Sequence, residues 1–236
     1  MSSPRGPALP YSVIAGVTPW SGGWLAASAK IHGSTVGPET PRVYDTFLEV
    51  LSERPSFAII VVNAPVGYRD RPDGGARTCD REVRAMLGHR GGAVHNAPSR
   101  AVLRGELEWY NGGLDVVTAT MLPRYREIAE EMSPFRQRVV YEGHPELSFY
   151  QLNKDTPLEK SKKIVLGLEE RKGVLHARVP GVDTVLNAEI SRLPRKHLFD
   201  AAALLWTARR VYAHAAKRLP VDPEWDSEGL RMEIVF

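Results

Sequence analysis

The chain has one cysteine, Cys79, among its 236 residues. That excludes an internal disulfide framework and a cysteine-based zinc site. No apolar run reaches the roughly 18 residues that a membrane helix needs, so no membrane span is expected. The opening segment, Met1 to Pro10, carries three prolines and no apolar stretch of the kind a secretory signal requires. It reads as a flexible lead-in, and the expected address is cytoplasmic. There is no internal repeat and no low-complexity linker. A strong overall charge is also missing: 31 basic residues stand against 28 acidic ones, a net of +3. What is present is a composition of 43% apolar and 25% charged residues, ordinary for a soluble globular protein. It suits one domain over residues 11–236.

The small net charge hides an uneven distribution. From Arg69 to Arg104 there are eight arginines, four acids and no lysine, a local net of +4. Arg192 to Arg218 nets +6, with Asp200 as its only acid, and Asp222 to Glu233 nets −4. Arginine clusters suit bidentate contact with phosphate or carboxylate. The plainer reading is a solvated face with local ion pairs.

Hydrophobic patterning gives the elements. Tyr11–Val17 and Trp24–Ile31 read as two strands joined through the turn residues Thr18–Gly23, a loop longer than the tightest hairpin type. Pro41–Arg54 has helical spacing. Phe57–Val62 is apolar enough for a central strand buried on both faces, and it ends at Asn63-Ala64-Pro65. Helices are expected over Thr78–Leu87 with Thr78 as N-cap, Thr118–Met132 with Pro123 near its first turn, Glu146–Leu152, Leu158–Lys172 closed by Gly173, Val182–Ile190 and His197–Lys217. Strands are expected over Gln137–Glu142 and Arg231–Phe236. Strands first and alternation later make an α/β or α+β domain. Residues 88–133 read as an inserted helical or irregular region.

The segments VIAGVTPWSGGW, VVNAPVGY, RTCDREVRAMLG, VHNAPSR, VYEGHPELSF, SKKIVLGLEER and FDAAALLWTARR occur in that order between Val13 and Arg210. Together they resemble successive motifs of the predicted RNase H-like nuclease family, catalogued as a domain of unknown function. The resemblance implies an α/β ribonuclease H-like mixed sheet flanked by helices. It also implies carboxylates at strand ends and on a late helix, holding Mg²⁺ or Mn²⁺ for phosphodiester hydrolysis. The candidate catalytic residues are then Glu146, Asp200, Glu142, Asn63 and Thr18, with Glu146 and Asp200 as metal ligands. Thr18 and Asn63 stand where the family's usual pattern has aspartates, which removes two negative charges from a dication site. Substrate-binding candidates are Arg77, Asp80, Arg81 and Arg84 in the arginine motif, and Lys162, Lys163 and Arg171 in the basic helix.

Two functions follow as expectations. One is a metal-dependent nuclease. The other is a catalytically silent relative that binds nucleic acid or nucleotide. A third reading is similar to the phosphate loop of actin-like sugar kinases, on Gly16-Val17-Thr18 with Gly22-Gly23. Those enzymes use two such lobes, and this chain supplies one. Trp20, Trp24 and Trp109 are candidates for base stacking or for packing. His144 reads as a turn residue and Cys79 as a packed thiol.

Overall fold

The computed structural model describes residues 10–236. The lead-in expected over residues 1–10 lies outside them except for Pro10. Strands β1 (Ser12–Trp20), β2 (Gly23–His32), β3 (Thr35–Pro38) and β4 (Arg42–Tyr44) come first. Helix α1 (Phe47–Ser52) and strand β5 (Phe57–Val62) follow, then α2 (Thr78–Leu87), α3 (Arg100–Leu103) and α4 (Val116–Glu131). Strand β6 (Val140–Glu142) precedes α5 (Pro145–Leu152), α6 (Val165–Arg178), α7 (Asp183–Leu186) and α8 (Lys196–Tyr212). The hairpin β7 (Arg218–Trp225) and β8 (Arg231–Val235) comes last.

Six strands form one mixed sheet in the order β3-β2-β1-β5-β6, with β4 paired to β2. The pairs β1–β2, β2–β3 and β2–β4 are antiparallel; β1–β5 and β5–β6 are parallel. This is the ribonuclease H-like α/β arrangement that the motifs imply. Strand β1 is buried from Val13 to Pro19, because helices cover both faces of the sheet and side chains alternate between them. Ile14 packs with Leu25, Val61 and the α8 residues Ala201 and Leu205. Ala15 and Val17 pack on the opposite face with Trp24, Val62 and Ile128 of α4. A third cluster joins α2 to the β7–β8 hairpin through Val83, Leu87, Met232 and Ile234.

Helix α8 comes very close to β1. Its run Ala201-Ala202-Ala203 is fully buried, and a Cβ at Gly16 would collide with the Leu205 amide and the Ala201 carbonyl. Small residues on both sides set that spacing, and it carries Asp200 to the end of the sheet where β1 and β5 finish.

Several boundaries differ from those the sequence suggests. The β1–β2 register pairs Trp20 with Gly23, so the turn is only Ser21-Gly22 and Thr18 lies inside a strand. The apolar Val17 and Trp20 continue the strand across the polar Thr18, which finds its partner in the sheet. Helix α1 is shorter than Pro41–Arg54, since Thr46 caps it with its hydroxyl accepting from the Glu49 amide at 3.3 Å. Arg77, not Thr78, is the N-cap residue of α2. Asp115 caps α4 by accepting from the Thr118 amide at 2.8 Å, which starts the helix early enough to leave Pro123 in its interior. Gly173 lies inside α6 and does not close it. Strands β3, β4 and β7 differ from the expected elements: they are short or proline-bearing, so they show no alternation, and they are held by pairing to the neighbouring strands β2 and β8. No helix among the described residues is long and apolar enough to cross a membrane.

Gly16→Ala should destabilise the fold by about 3 kcal/mol, since the atoms that a Cβ would meet are the backbone of α8, which cannot give way as a side chain can. Urea denaturation of the soluble variant checks this; an unchanged midpoint would show that the β1–α8 spacing is adjustable.

Candidate functional site: a cleft of paired charges

A cleft of about 490 Å³ opens at the carboxyl ends of β1, β5 and β6. Open α/β sheets place ligands there, because strand ends deliver side chains from several segments to one point. Asn63 enters from β5, Glu142 from β6, Glu146 from the first turn of α5, and Asp200 from α8. Arg77, Asp80, Lys162 and Lys163 also line it. Eight of the residues singled out from the sequence therefore meet at one opening. Thr18, Arg81, Arg84 and Arg171 do not line it.

Each acid already has a cation. The Arg77 guanidinium, 3% exposed, lies between Asp80 and Glu142. Its Nε donates to Asp80 Oδ2 at 3.0 Å and its Nη2 to Asp80 Oδ1 at 2.8 Å. Toward Glu142, Nη1 reaches Oε2 at 2.8 Å and Nη2 reaches Oε1 at 2.5 Å. Nη1 also donates to the Gly67 carbonyl, and the Val66 amide donates to Glu142 at 2.9 Å. Burial pushes the Glu142 carboxyl up, and Arg77 pulls against that. The Arg77 guanidinium itself is held well above its usual range: burial works against the charge, and Asp80, Cys79 and Glu142 outweigh it.

Glu146 is held by Arg171 through two bonds of 2.7 and 2.9 Å, with Arg90 at 3.3 Å. Burial pushes its carboxyl up, but Arg171, Lys162 and Arg90 together hold it below the usual carboxylate range. Asp200 accepts twice from Lys162 Nζ, at 2.8 and 2.6 Å. Between the strands, the Asn63 amide donates to the Thr18 hydroxyl at 3.2 Å. Thr18 is fully buried, so this bond satisfies two neutral groups where a dication site would need charge.

The donors do not fit a resident dication. Two of the five oxygen donors are neutral, and all the carboxylates are committed to guanidinium or ammonium groups. Among the described residues, no group of three or more His, Cys, Asp or Glu side chains is placed to hold a metal ion. Mg²⁺ depends on charged oxygen ligands, and a cation already seated on each carboxylate opposes its entry.

The remaining candidates have other partners. Arg171 is fully buried, with its second nitrogen donating to the Lys160 and Gly167 carbonyls. It supports Glu146 from below and is closed to a substrate. Arg81 donates to Thr78 and to the Ala76 carbonyl, and Arg84 to the Val94 carbonyl and to Asn96. Those two arginines hold the start of α2 and the 94–96 loop. Trp24 is a core residue, its Nε1 donating to Glu127 at 2.7 Å and its ring packed on Phe47. Cys79 is buried, and burial pushes its thiol far above the range of a nucleophile.

Sequence reasoning placed His144 only as a turn residue, which its N-cap position before α5 bears out, and missed the other histidines at the cleft. His89, His95, His144 and His197 all line the cleft. His144 stands 3.3 Å from the Ala93 carbonyl through Nε2, which puts the proton on that nitrogen. The Nδ1 atoms of His144 and His197 are buried without a hydrogen-bond partner. Burial brings both pKa values down to about 4. The spacing of these residues along the chain gave no signal, because they come from three separate segments: the stretch after α2, the start of α5 and the start of α8.

The unfolded chain therefore binds protons that the folded chain refuses as pH falls below the ordinary histidine range. Stability should drop from about pH 6.5 down to about pH 4, and level off below the folded values as far as these groups are concerned. Thermal denaturation across that window checks this, with His197→Gln expected to flatten the slope. A slope unchanged by the variant would refute it.

The charge arithmetic explains the uneven distribution along the chain. Glu224 pairs with Arg69, Asp226 with Arg100, and Glu228 with both Arg100 and Arg104. The acidic stretch folds back on the arginine-rich one. No curated protein and no solved structure matches this chain. The family described as "Protein of unknown function (DUF429)" matches residues 16–225. The chain, carrying that family's motifs on a ribonuclease H-like sheet, belongs to this family.

Proposed function

We propose that the cleft binds the phosphate groups of a nucleic acid or nucleotide, and that the protein acts as a binding module. The observation that carries this reading is the internal pairing of Asp80, Glu142, Glu146 and Asp200. With those acids neutralised, the surplus around the opening is positive. Among the described residues neither Lys163 nor Lys196 makes an ion pair, and both line the cleft. Arg90 adds a second cation beside Glu146. Ammonium and guanidinium groups around a concave, partly polar opening attract phosphate.

A metal-dependent hydrolysis of phosphodiester bonds is the second reading. The convergence of Asn63, Glu142, Glu146 and Asp200 on one opening favours it. It requires Lys162 to leave Asp200 and Arg171 to leave Glu146.

The double variant Lys163→Ser, Lys196→Ser separates binding from background. Labelled single-stranded oligonucleotide should bind the natural protein with a marked salt dependence. The variant should bind more weakly, with its log–log salt slope reduced by about 1.4 for two lost phosphate contacts. Equal binding by both proteins would remove the cleft as the site. Cleavage of the same oligonucleotide in Mg²⁺ or Mn²⁺, abolished by Asp200→Asn, would replace the binding reading with the hydrolytic one.

A further inference from the structure

The cleft does not end at Arg77. A second hollow of about 330 Å³ shares Arg77, Asn96 and Ala97 with it. A third, of about 400 Å³, shares Arg69 and Arg71 with the second. The three adjoin one another in a row from the strand ends to the β7–β8 hairpin. Along it, Arg71 is exposed and has no ion pair or side-chain hydrogen bond among the described residues, unlike the other seven arginines between Arg69 and Arg104. Ser99, only 5% exposed, lines the second hollow with its hydroxyl unpartnered. Trp225 borders the third and is 62% exposed.

We infer that this path is a track for single-stranded nucleic acid, with the backbone passing Arg71 and a base stacking on Trp225. The inference rests on the reading of the cleft as a phosphate site, and names the ligand as a strand instead of a mononucleotide. Strand-binding grooves combine cations that follow the backbone with aromatic faces that take any base. The acids beside Trp225 fit this division of labour. Glu224 and Asp226 are held by Arg69 and Arg100, and Asp70 accepts from the Ser227 hydroxyl at 2.6 Å. The charges of Glu224 and Asp226 are balanced by their arginines, and Asp70 has the Arg100 Nε at 3.9 Å, which suits a neutral base, while the free cation Arg71 lies one step nearer the cleft. On the sheet side, the Arg231 guanidinium lies 6.0 Å from the Trp225 ring, which braces the indole for stacking.

The test uses fluorescence anisotropy on the full chain with labelled oligothymidylate and oligouridylate, of about 3 nucleotides, shorter than known strand sites, and about 12, within their range. The longer oligomers should bind more tightly than the shorter. Trp225→Ala should weaken the longer oligomer about tenfold and leave the shorter unchanged, while Trp225→Phe retains most of the affinity. Arg71→Ser should weaken the longer oligomer and lower its salt slope. Tight binding of either long polymer supports the track, and a comparison of oligouridylate with oligodeoxyuridylate, which differ in the sugar alone, names the sugar. If short and long oligomers bind alike and depend on Lys163 and Lys196 but not on Trp225 or Arg71, the track is overturned and the cleft reading stands. If neither length binds, both fall. Both side chains are exposed, so matching thermal midpoints would show that the variants are folded.

Discussion

A buried carboxylate without a countercharge costs several kcal/mol, and the region below the cleft is built around meeting that demand. Arg77 is the centre of it. Its guanidinium joins the Asp80 carboxylate on α2, the Glu142 carboxylate on β6 and the Gly67 carbonyl in the loop after β5. One side chain thus ties the loop after β5 and the start of α2 to β6, 65 residues further along the chain. Arg171 does the same for Glu146, joining α5 to α6 and to the Lys160 carbonyl. Each guanidinium presents several donors in a fixed plane, which a lysine could not replace.

That arrangement decides the chemistry available at the opening. The sheet brings the strand-end side chains together as a ribonuclease H-like fold does, yet two positions carry neutral oxygens and the rest carry charges already balanced. The Coulombic well that would hold a dication is filled by the chain's own cations. The surplus then belongs to Lys163, Lys196 and Arg90, and the attraction is for anions. Fold and function separate here: the scaffold alone does not choose between the two chemistries, and the pairing of its acids is what the proposed binding role rests on.

Much of this was legible in the sequence. The apolar run Phe57–Val62 and the Ala201–Ala203 run announced a central strand and a closely packed helix, because burial on both faces and close approach leave such marks. The ordered motifs gave the family and the sheet. The changes to Thr18 and Asn63 were visible as lost charge. What the sequence withheld was pairing. Nothing in the spacing of Arg171 and Glu146, or of Lys162 and Asp200, states that they meet, since those contacts are set by the packing of α5, α6 and α8. The two edge strands β3 and β4 are too short to show a period, and β7 carries Pro220 and Pro223 and runs into the acidic stretch that begins at Asp222. Trp225 was hidden by the same omission, while Trp24, a conspicuous candidate, serves the core.

The most direct test of the central claim is calorimetric titration of Mn²⁺ into the purified protein, beside a titration with inorganic pyrophosphate. The paired acids predict heat from pyrophosphate, weakened in the Lys163→Ser, Lys196→Ser variant, and none from Mn²⁺. Micromolar Mn²⁺ binding that disappears in Asp200→Ala would contradict the account, for it would mean that Lys162 yields its place and that the carboxylates remain a metal site.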